Sequence, residues 1–207
     1  MTGIIDYGVG NLFSIASSLS MIGEEACILK EPEEFERCSR VILPGVGAFG
    51  DARKKLSDSG MEQALLAWAD SGRPLLGICL GMQMLFQYSE EFGRFEGLSL
   101  IPGRVTAMQP RLPQGLKVPQ IGWNALSIRR KHPLLRGIED GDCVYFVHSF
   151  SAVDCEEDTL ASCEYGIEVT AAVARDNVAG AQFHPEKSGK VGLAILRNFC
   201  EMEGKRQ

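Results

Sequence analysis

Two short segments, far apart in the chain, carry the residue types that attack a carbonyl: Gly77-Ile78-Cys79-Leu80-Gly81, and Gln182-Phe183-His184-Pro185-Glu186. Cys79 follows the apolar run Pro74-Leu75-Leu76 and precedes a helical pattern carrying Met82, Leu85 and Phe86. It therefore sits where a strand turns sharply into a helix, a nucleophile elbow with sulfur in place of the serine oxygen. The flanking glycines relieve crowding in such a turn. The helix N-terminus supplies unpaired N–H groups and a partial positive charge, both of which favour thiolate over thiol. The N–H of Leu80 is then aimed at the oxygen of a carbonyl attacked by Cys79, one oxyanion donor. The alternative for Cys79 is a buried structural thiol, the reading that suits the other six cysteines (27, 38, 143, 155, 163 and 200), none of which has an elbow around it.

A sulfur nucleophile needs a base, and of the three histidines (132, 148 and 184) His184 has the suitable setting. Residues 184 and 186, two apart at a strand end, share one face. Glu186 can accept a hydrogen bond from one ring nitrogen while the other faces the sulfur. Pro185 cannot donate to a ladder, which suits a strand end or edge. Taken alone, a His and a Glu so spaced read as an ordinary surface loop; the elbow is what turns them into partners. The second oxyanion donor is expected from Pro44-Gly45-Val46-Gly47-Ala48-Phe49-Gly50, which directly follows an apolar strand, with Val46 and Gly47 as the candidates. These glycines lack the Gly-Lys-Ser/Thr ending of a phosphate loop and the spacing of a dinucleotide fingerprint.

The elements that must position these residues are legible as periodicity. Gly3–Asp6, Ala26–Leu29, Val41–Leu43 and Pro74–Ile78 are short continuous apolar strands. Between them lie helical patterns: Leu12, Ile15, Ala16 and Leu19, closed by Gly23, then Ala52 to Trp68, broken near Gly60. Such alternation means a mostly parallel sheet covered on both faces. The second half changes character: Ile121–Ile128, Cys143–Phe150, Leu160–Tyr165 and Val169–Phe183, separated by turns such as Asp176-Asn177, read as an antiparallel section joined to that sheet. Ser188 is placed to cap a final helix that buries Val191, Leu193, Ile195, Leu196 and Phe199.

With 207 residues, 45% hydrophobic and 23% charged, and no low-complexity linker, one domain over residues 1–207 is expected. A net charge of −6 argues against a surface that tracks nucleic-acid phosphates. An odd number of cysteines without a Cys-x-x-Cys pair points to reduced thiols. The histidines show no metal-ligand spacing, and no metal or cofactor is expected. The N-terminus lacks a basic segment followed by a long apolar stretch, and no run is long enough to cross a bilayer, so a soluble cytoplasmic protein is expected.

These segments resemble the triad-type (class I) glutamine amidotransferases, which join a Gly-x-Cys-x-Gly elbow to a late His-Pro-Glu. Ile5-Asp6-Tyr7-Gly8-Val9-Gly10-Asn11-Leu12, Gly122-Trp123-Asn124 and Val147-His148-Ser149-Phe150 narrow the likeness to the glutaminase subunits of imidazole glycerol phosphate synthase, and the matching stretches span almost the whole chain. The resemblance implies an α/β fold of flavodoxin-like type, with a mostly parallel central sheet flanked by helices and an antiparallel extension. It implies glutamine hydrolysis through a Cys79 thioester, with His184 relaying protons and Glu186 orienting it. It also implies a glutamine pocket lined by Gly47, Gln83, His148, Ser149 and Phe150, several through backbone atoms. The partner it implies is a (β/α)8-barrel cyclase forming a heterodimer, which takes up the ammonia and faces Asn11, Trp123, Asn124, Tyr145 and Lys187; for Trp123 and Tyr145 core packing is the alternative. Two residues depart from the family pattern: Gln120 stands where histidine is expected, and Phe150 where tyrosine is usual. A glutaminase of another pathway, such as pyridoxal phosphate synthesis, and a stand-alone cysteine hydrolase are the competing readings.

Overall fold

The computed structural model describes residues 1–204. In chain order its elements are β1 (Thr2–Ile5), α1 (Leu12–Met21), β2 (Ala26–Leu29), β3 (Arg40–Leu43), α2 (Phe49–Asp58), α3 (Met61–Asp70), β4 (Leu75–Ile78), α4 (Leu80–Met84), β5 (Tyr88–Ser89), β6 (Phe95–Glu96) and β7 (Arg104–Ala107). They continue as β8 (Gln120–Ile128), β9 (Cys143–His148), β10 (Phe150–Val153), β11 (Thr159–Glu164), β12 (Glu168–Arg175), β13 (Val178–Ala181) and α5 (Gly189–Cys200).

A nine-stranded sheet runs in the order β2-β1-β3-β4-β13-β12-β11-β8-β9. Its first five strands are mutually parallel and the remaining pairings are antiparallel, so β13 is the strand at which the sheet changes sense. Strands β1, β4 and β13 are buried at every position, as their sequences, apolar but for Thr2, lead one to expect. Alternate residues feed opposite faces. Ile4, Ile42 and Leu76 pack with Ile15 and Leu19 of α1 and Ile195, Leu196 and Phe199 of α5. Ile5, Val41 and Leu43 pack with Phe49, Leu56, Leu65 and Trp68 of α2 and α3. Truncating a buried aromatic such as Trp68 or Phe199 to alanine costs about 3–5 kcal/mol by loss of transfer energy and a residual cavity. Among the described residues no helix is long and apolar enough to cross a membrane.

Four sequence expectations are corrected. The run Cys143–Phe150 is not one strand: β9 ends at His148, the chain turns at Ser149, and β10 joins a second, four-stranded sheet ordered β10-β7-β5-β6. No glycine, proline, asparagine or aspartate marks the corner, which is why the local sequence hid it. Helix α4 has only five residues, leaving Leu85 and Phe86 beyond its end, so the dipole it presents to Cys79 is correspondingly weak. Ser188 occupies the N-cap position of α5 but makes no side-chain cap. Finally, not all the other cysteines are buried, since Cys143 is exposed and Cys27 half-buried.

Candidate active site

Cys79 has φ 55° and ψ −111°, a conformation that non-glycine residues adopt only when their surroundings hold it. The holding is visible. Ile78 is in register with Ala181, and the Cys79 N–H donates to the Ala181 carbonyl at 2.8 Å. A Cβ on Gly81 would collide with the Leu43 carbonyl oxygen, and one on Gly77 would lie 2.7 Å from the Gly81 oxygen. The elbow is thus packed hard against the end of β3, and only glycines fit. The loop that follows β3 is in turn pinned from below, where the buried Tyr7 hydroxyl donates to the Pro44 carbonyl at 2.7 Å. Burial, and secondarily the nearby Cys79 sulfur, raise the Tyr7 pKa well above its ordinary value, so it remains a donor.

His184 and Glu186 do not end a strand, as the sequence suggested. Strand β13 stops at Ala181, and Pro185–Lys187 form a single 3₁₀ turn with Pro185 at its first position, where a missing N–H costs nothing. That turn, rather than strand alternation, folds the carboxylate back onto the ring. Nδ1 of His184 donates to Glu186 Oε1 at 2.8 Å, and the two side chains are 3% and 1% exposed. A carboxylate only accepts, so Nδ1 carries the proton and Nε2 is the nitrogen left for chemistry. Nε2 makes no hydrogen bond of good geometry, but the Cys79 sulfur lies close enough to act on the ring. Burial lowers the His184 pKa, but the neighbouring Cys79 sulfur and Glu186 carboxylate outweigh it and lift the value to about 9. The Ser188 hydroxyl, unused as a cap, donates to the His184 carbonyl at 2.6 Å and accepts from the Tyr145 N–H at 3.0 Å, while the His184 N–H donates to the Tyr145 carbonyl at 2.9 Å.

Cys79 and His184 line one cavity of about 350 Å³, together with Val46, Gly47, Leu80, Gln83, His148, Ser149 and Phe150. Every residue expected for the oxyanion donors and the glutamine pocket therefore borders the same space. Gly47, at φ 95°, takes a conformation natural to glycine. The Phe150 carbonyl accepts from Gln83 Nε2 at 3.0 Å and from His148 Nδ1 at 2.8 Å, which fixes the amide orientation of the one and the tautomer of the other. Gln83 Nε2 also donates to Gln182 Oε1 at 3.0 Å. Its carbonyl oxygen is what Gln83 has left to offer a ligand. Burial, helped by the positive His184, takes the His148 pKa down to about 4 against the opposing hydrogen bond to Phe150, so this ring is neutral.

Sequence reasoning missed Glu91 as a lining residue and assigned Lys187 elsewhere. Glu91 accepts from the Phe49 N–H at 2.7 Å and has its pKa raised by burial. Nothing in its local sequence marks it, because a hairpin of two-residue strands brings it over the cavity. Gln182 was missed too, although the β4–β13 register, followed one residue past Ile78 and Ala181, lays it beside Cys79. Of the two departures, Phe150 borders the cavity, where its ring meets Phe92 edge-on at 6.2 Å. Gln120 is buried opposite His148 and does not line it, donating to Asn124 Oδ1 at 2.9 Å and to the Cys163 sulfur at 3.6 Å, with its own Oε1 unpartnered.

Beside the cavity, Trp123 is 54% exposed and meets Tyr145 edge-on at 6.0 Å, and the Lys187 ammonium stands 5.9 Å from the Tyr145 ring centre. Trp123 is therefore not a core residue. Ile121 and Phe13 are exposed as well. Asn11 and Asn124 have local duties: Asn11 caps α1 through Ser14 N–H at 3.2 Å, and Asn124 donates to the Glu164 carbonyl at 3.2 Å.

The family model described as glutamine amidotransferase class-I matches residues 3–202. A protein of Wolinella succinogenes named imidazole glycerol phosphate synthase subunit HisH is 52% identical over 204 residues, spanning 98% of this chain and 100% of its own. The same-named protein of Methanosarcina mazei is 52% identical over 202 residues, spanning 96% and 97%. Among solved structures, a glutamine amidotransferase superposes with TM-score 0.75 at 20% identity over 97% of both chains, and PurLQS of Thermotoga maritima with TM-score 0.74 at 17% identity over 96% of both. The two structures bear on the fold, which is the α/β arrangement of class I glutamine amidotransferases. On the sequence matches, the chain belongs to the class-I glutamine amidotransferase family and, within it, to the imidazole glycerol phosphate synthase HisH subunits.

Proposed function

We propose that this chain is the glutaminase subunit of an imidazole glycerol phosphate synthase, that Cys79, His184 and Glu186 are its catalytic triad, and that the ammonia it makes passes to a (β/α)8-barrel cyclase in a cytoplasmic heterodimer. The whole chain acts as one domain. The observation that carries the reading is the shared cavity, in which a cysteine held at a strained elbow faces an imidazole whose far nitrogen is committed to a buried carboxylate.

The proton of the Cys79 thiol rests on His184, which is charged at neutrality, and the sulfur attacks the side-chain amide carbon of glutamine. The tetrahedral oxyanion is met by the Leu80 N–H and by backbone N–H of Val46 or Gly47. His184 returns its proton to the leaving nitrogen, ammonia departs, and a glutamyl thioester remains. Water, deprotonated by the same imidazole, cleaves the thioester to glutamate and frees the thiol. Glu91, the carboxylate at the cavity, is suited to the α-ammonium group of glutamine, while Gln83 offers its carbonyl oxygen. At neutral pH free ammonia is mostly protonated and no longer nucleophilic, so a sealed path to the acceptor is required. The exposed Trp123 and Lys187 and the half-buried Tyr145, together with Asn11 and Asn124, are the residues assigned to the cyclase face.

The test is glutamate release with and without the liganded cyclase, run beside Cys79→Ala. Release that rises on adding the liganded cyclase, and that Cys79→Ala abolishes without harming synthesis from added ammonium salt, is expected. Peptide or ester turnover by the isolated chain, with no response to cyclase, would replace this reading with that of a stand-alone hydrolase.

A further inference from the structure

The three triad residues leave one buried contact of the nucleophile unexplained. Gln182 is completely buried, and its Nε2 lies 3.8 Å from the Cys79 sulfur, within reach of an N–H to sulfur hydrogen bond. Which end of an amide faces a sulfur is normally ambiguous, because oxygen and nitrogen are interchangeable in shape. Here a chain of partners removes the ambiguity. The Phe150 carbonyl oxygen has no hydrogen to give, so Gln83 must turn its NH2 toward it. The same NH2 group supplies its second hydrogen to Gln182 Oε1. Gln182 is then obliged to show its NH2, not its oxygen, to Cys79.

We infer that Gln182 is a positioning residue for the nucleophile, donating a hydrogen bond to the Cys79 sulfur in an orientation dictated, through Gln83, by the Phe150 carbonyl at the glutamine pocket. The inference rests on the reading of Cys79 as nucleophile. A donor directed at sulfur favours the thiolate and holds its lone pairs toward the cavity. The relay runs from a backbone carbonyl that borders the substrate space, through two buried amides, to the attacking atom, so a displacement of residue 150 reaches the sulfur without any motion of the elbow itself. The titratable groups that face the sulfur are His184 from the turn after β13 and Tyr7 from the segment after β1; the variants below leave both in place.

The experiment measures the pH dependence of Cys79 alkylation by iodoacetamide in the full chain, followed at the Cys79 peptide by mass spectrometry, together with kcat and KM for glutamine in the complex with liganded cyclase. Gln182→Glu keeps the shape and replaces the donor by an acceptor; Gln182→Leu removes both; Gln83→Leu leaves Gln182 in place but frees it to turn over. The apparent alkylation pKa is expected to rise by about one unit in Gln182→Glu and by less in the two leucine variants. kcat should fall about tenfold in Gln182→Glu with KM little changed, and unchanged cyclase binding will report an intact fold. An alkylation profile identical to that of the parent in a folded Gln182→Glu or Gln182→Leu chain overturns the inference. Failure of the underlying reading looks different: Cys79 would alkylate no faster than the exposed Cys143 in the parent chain, and Cys79→Ala would retain glutamine hydrolysis.

Discussion

His184 and His148 border the same cavity and are both nearly shut away from water, yet they carry opposite charge states near neutrality. Burial acts on both in the same direction, against the imidazolium. At His148 the principal partner is the Phe150 carbonyl, a dipole too weak to reverse that, and the pKa settles at about 4. At His184 the partners are a carboxylate and a sulfur, and the pKa is lifted to about 9. The difference teaches that a full negative charge, not burial, separates a protonated imidazole from a neutral one. Where two titratable groups in one site are driven apart in this way, their division of labour can be read from their neighbours.

The largest expected effect that can break this comparison is a paired substitution, His184→Asn and His148→Asn, assayed for glutamine-dependent turnover in the complex. Loss of His184 should reduce kcat by about 10³-fold or more, and loss of His148 by no more than about tenfold; equal losses would end the distinction. Next comes Glu186→Gln. It preserves the shape of the carboxylate but not its charge, so the His184 pKa, followed by NMR of the ring protons, should fall well below 9 and kcat should drop by about 10²–10⁴-fold.

The third prediction separates the two rings by pH and stability. The unfolded chain protonates histidine near 6.5. His148, depressed when folded, lets the unfolded state bind the proton first, so stability is lost as pH falls from about 6.5 toward 4, by roughly 3 kcal/mol at most. His184 has the opposite sign, its contribution being complete below about 6.5 and lost as pH rises through about 9. Urea titrations across pH should therefore show His148→Asn flattening the acid limb and His184→Asn the alkaline limb; exchange of the two patterns would contradict the assigned environments. The smallest effect is that of Phe150→Tyr. The hydrogen bond that His148 makes runs to the backbone carbonyl of residue 150, so restoring the usual hydroxyl should alter KM for glutamine by less than about fivefold and leave the His148 titration in place.

The parallel half of the molecule was legible because its strands are continuous apolar runs bounded by turns, and β2 coincides with the expected Ala26–Leu29. The elbow was legible for the same reason, since a strand, a glycine pair and a cysteine are all local signals. What was hidden depends on contacts distant in sequence. The sheet change at Ser149 carries no glycine, proline, asparagine or aspartate to mark it, and β5 and β6 have two residues each, too few to form a pattern. Glu91 and Gln182 gain their meaning from a hairpin and from strand register. The spacing of His184 and Glu186 pointed to the right pair through the wrong local geometry, because a 3₁₀ turn beginning at proline also folds two positions onto one side.

The three hydrogen bonds that join His184, Tyr145 and Ser188 form a closed ring, and the Tyr145 ring sits under Trp123 and Lys187 at the surface. The backbone that carries the imidazole is therefore joined directly to the backbone that carries the Tyr145 ring, with no loop between them.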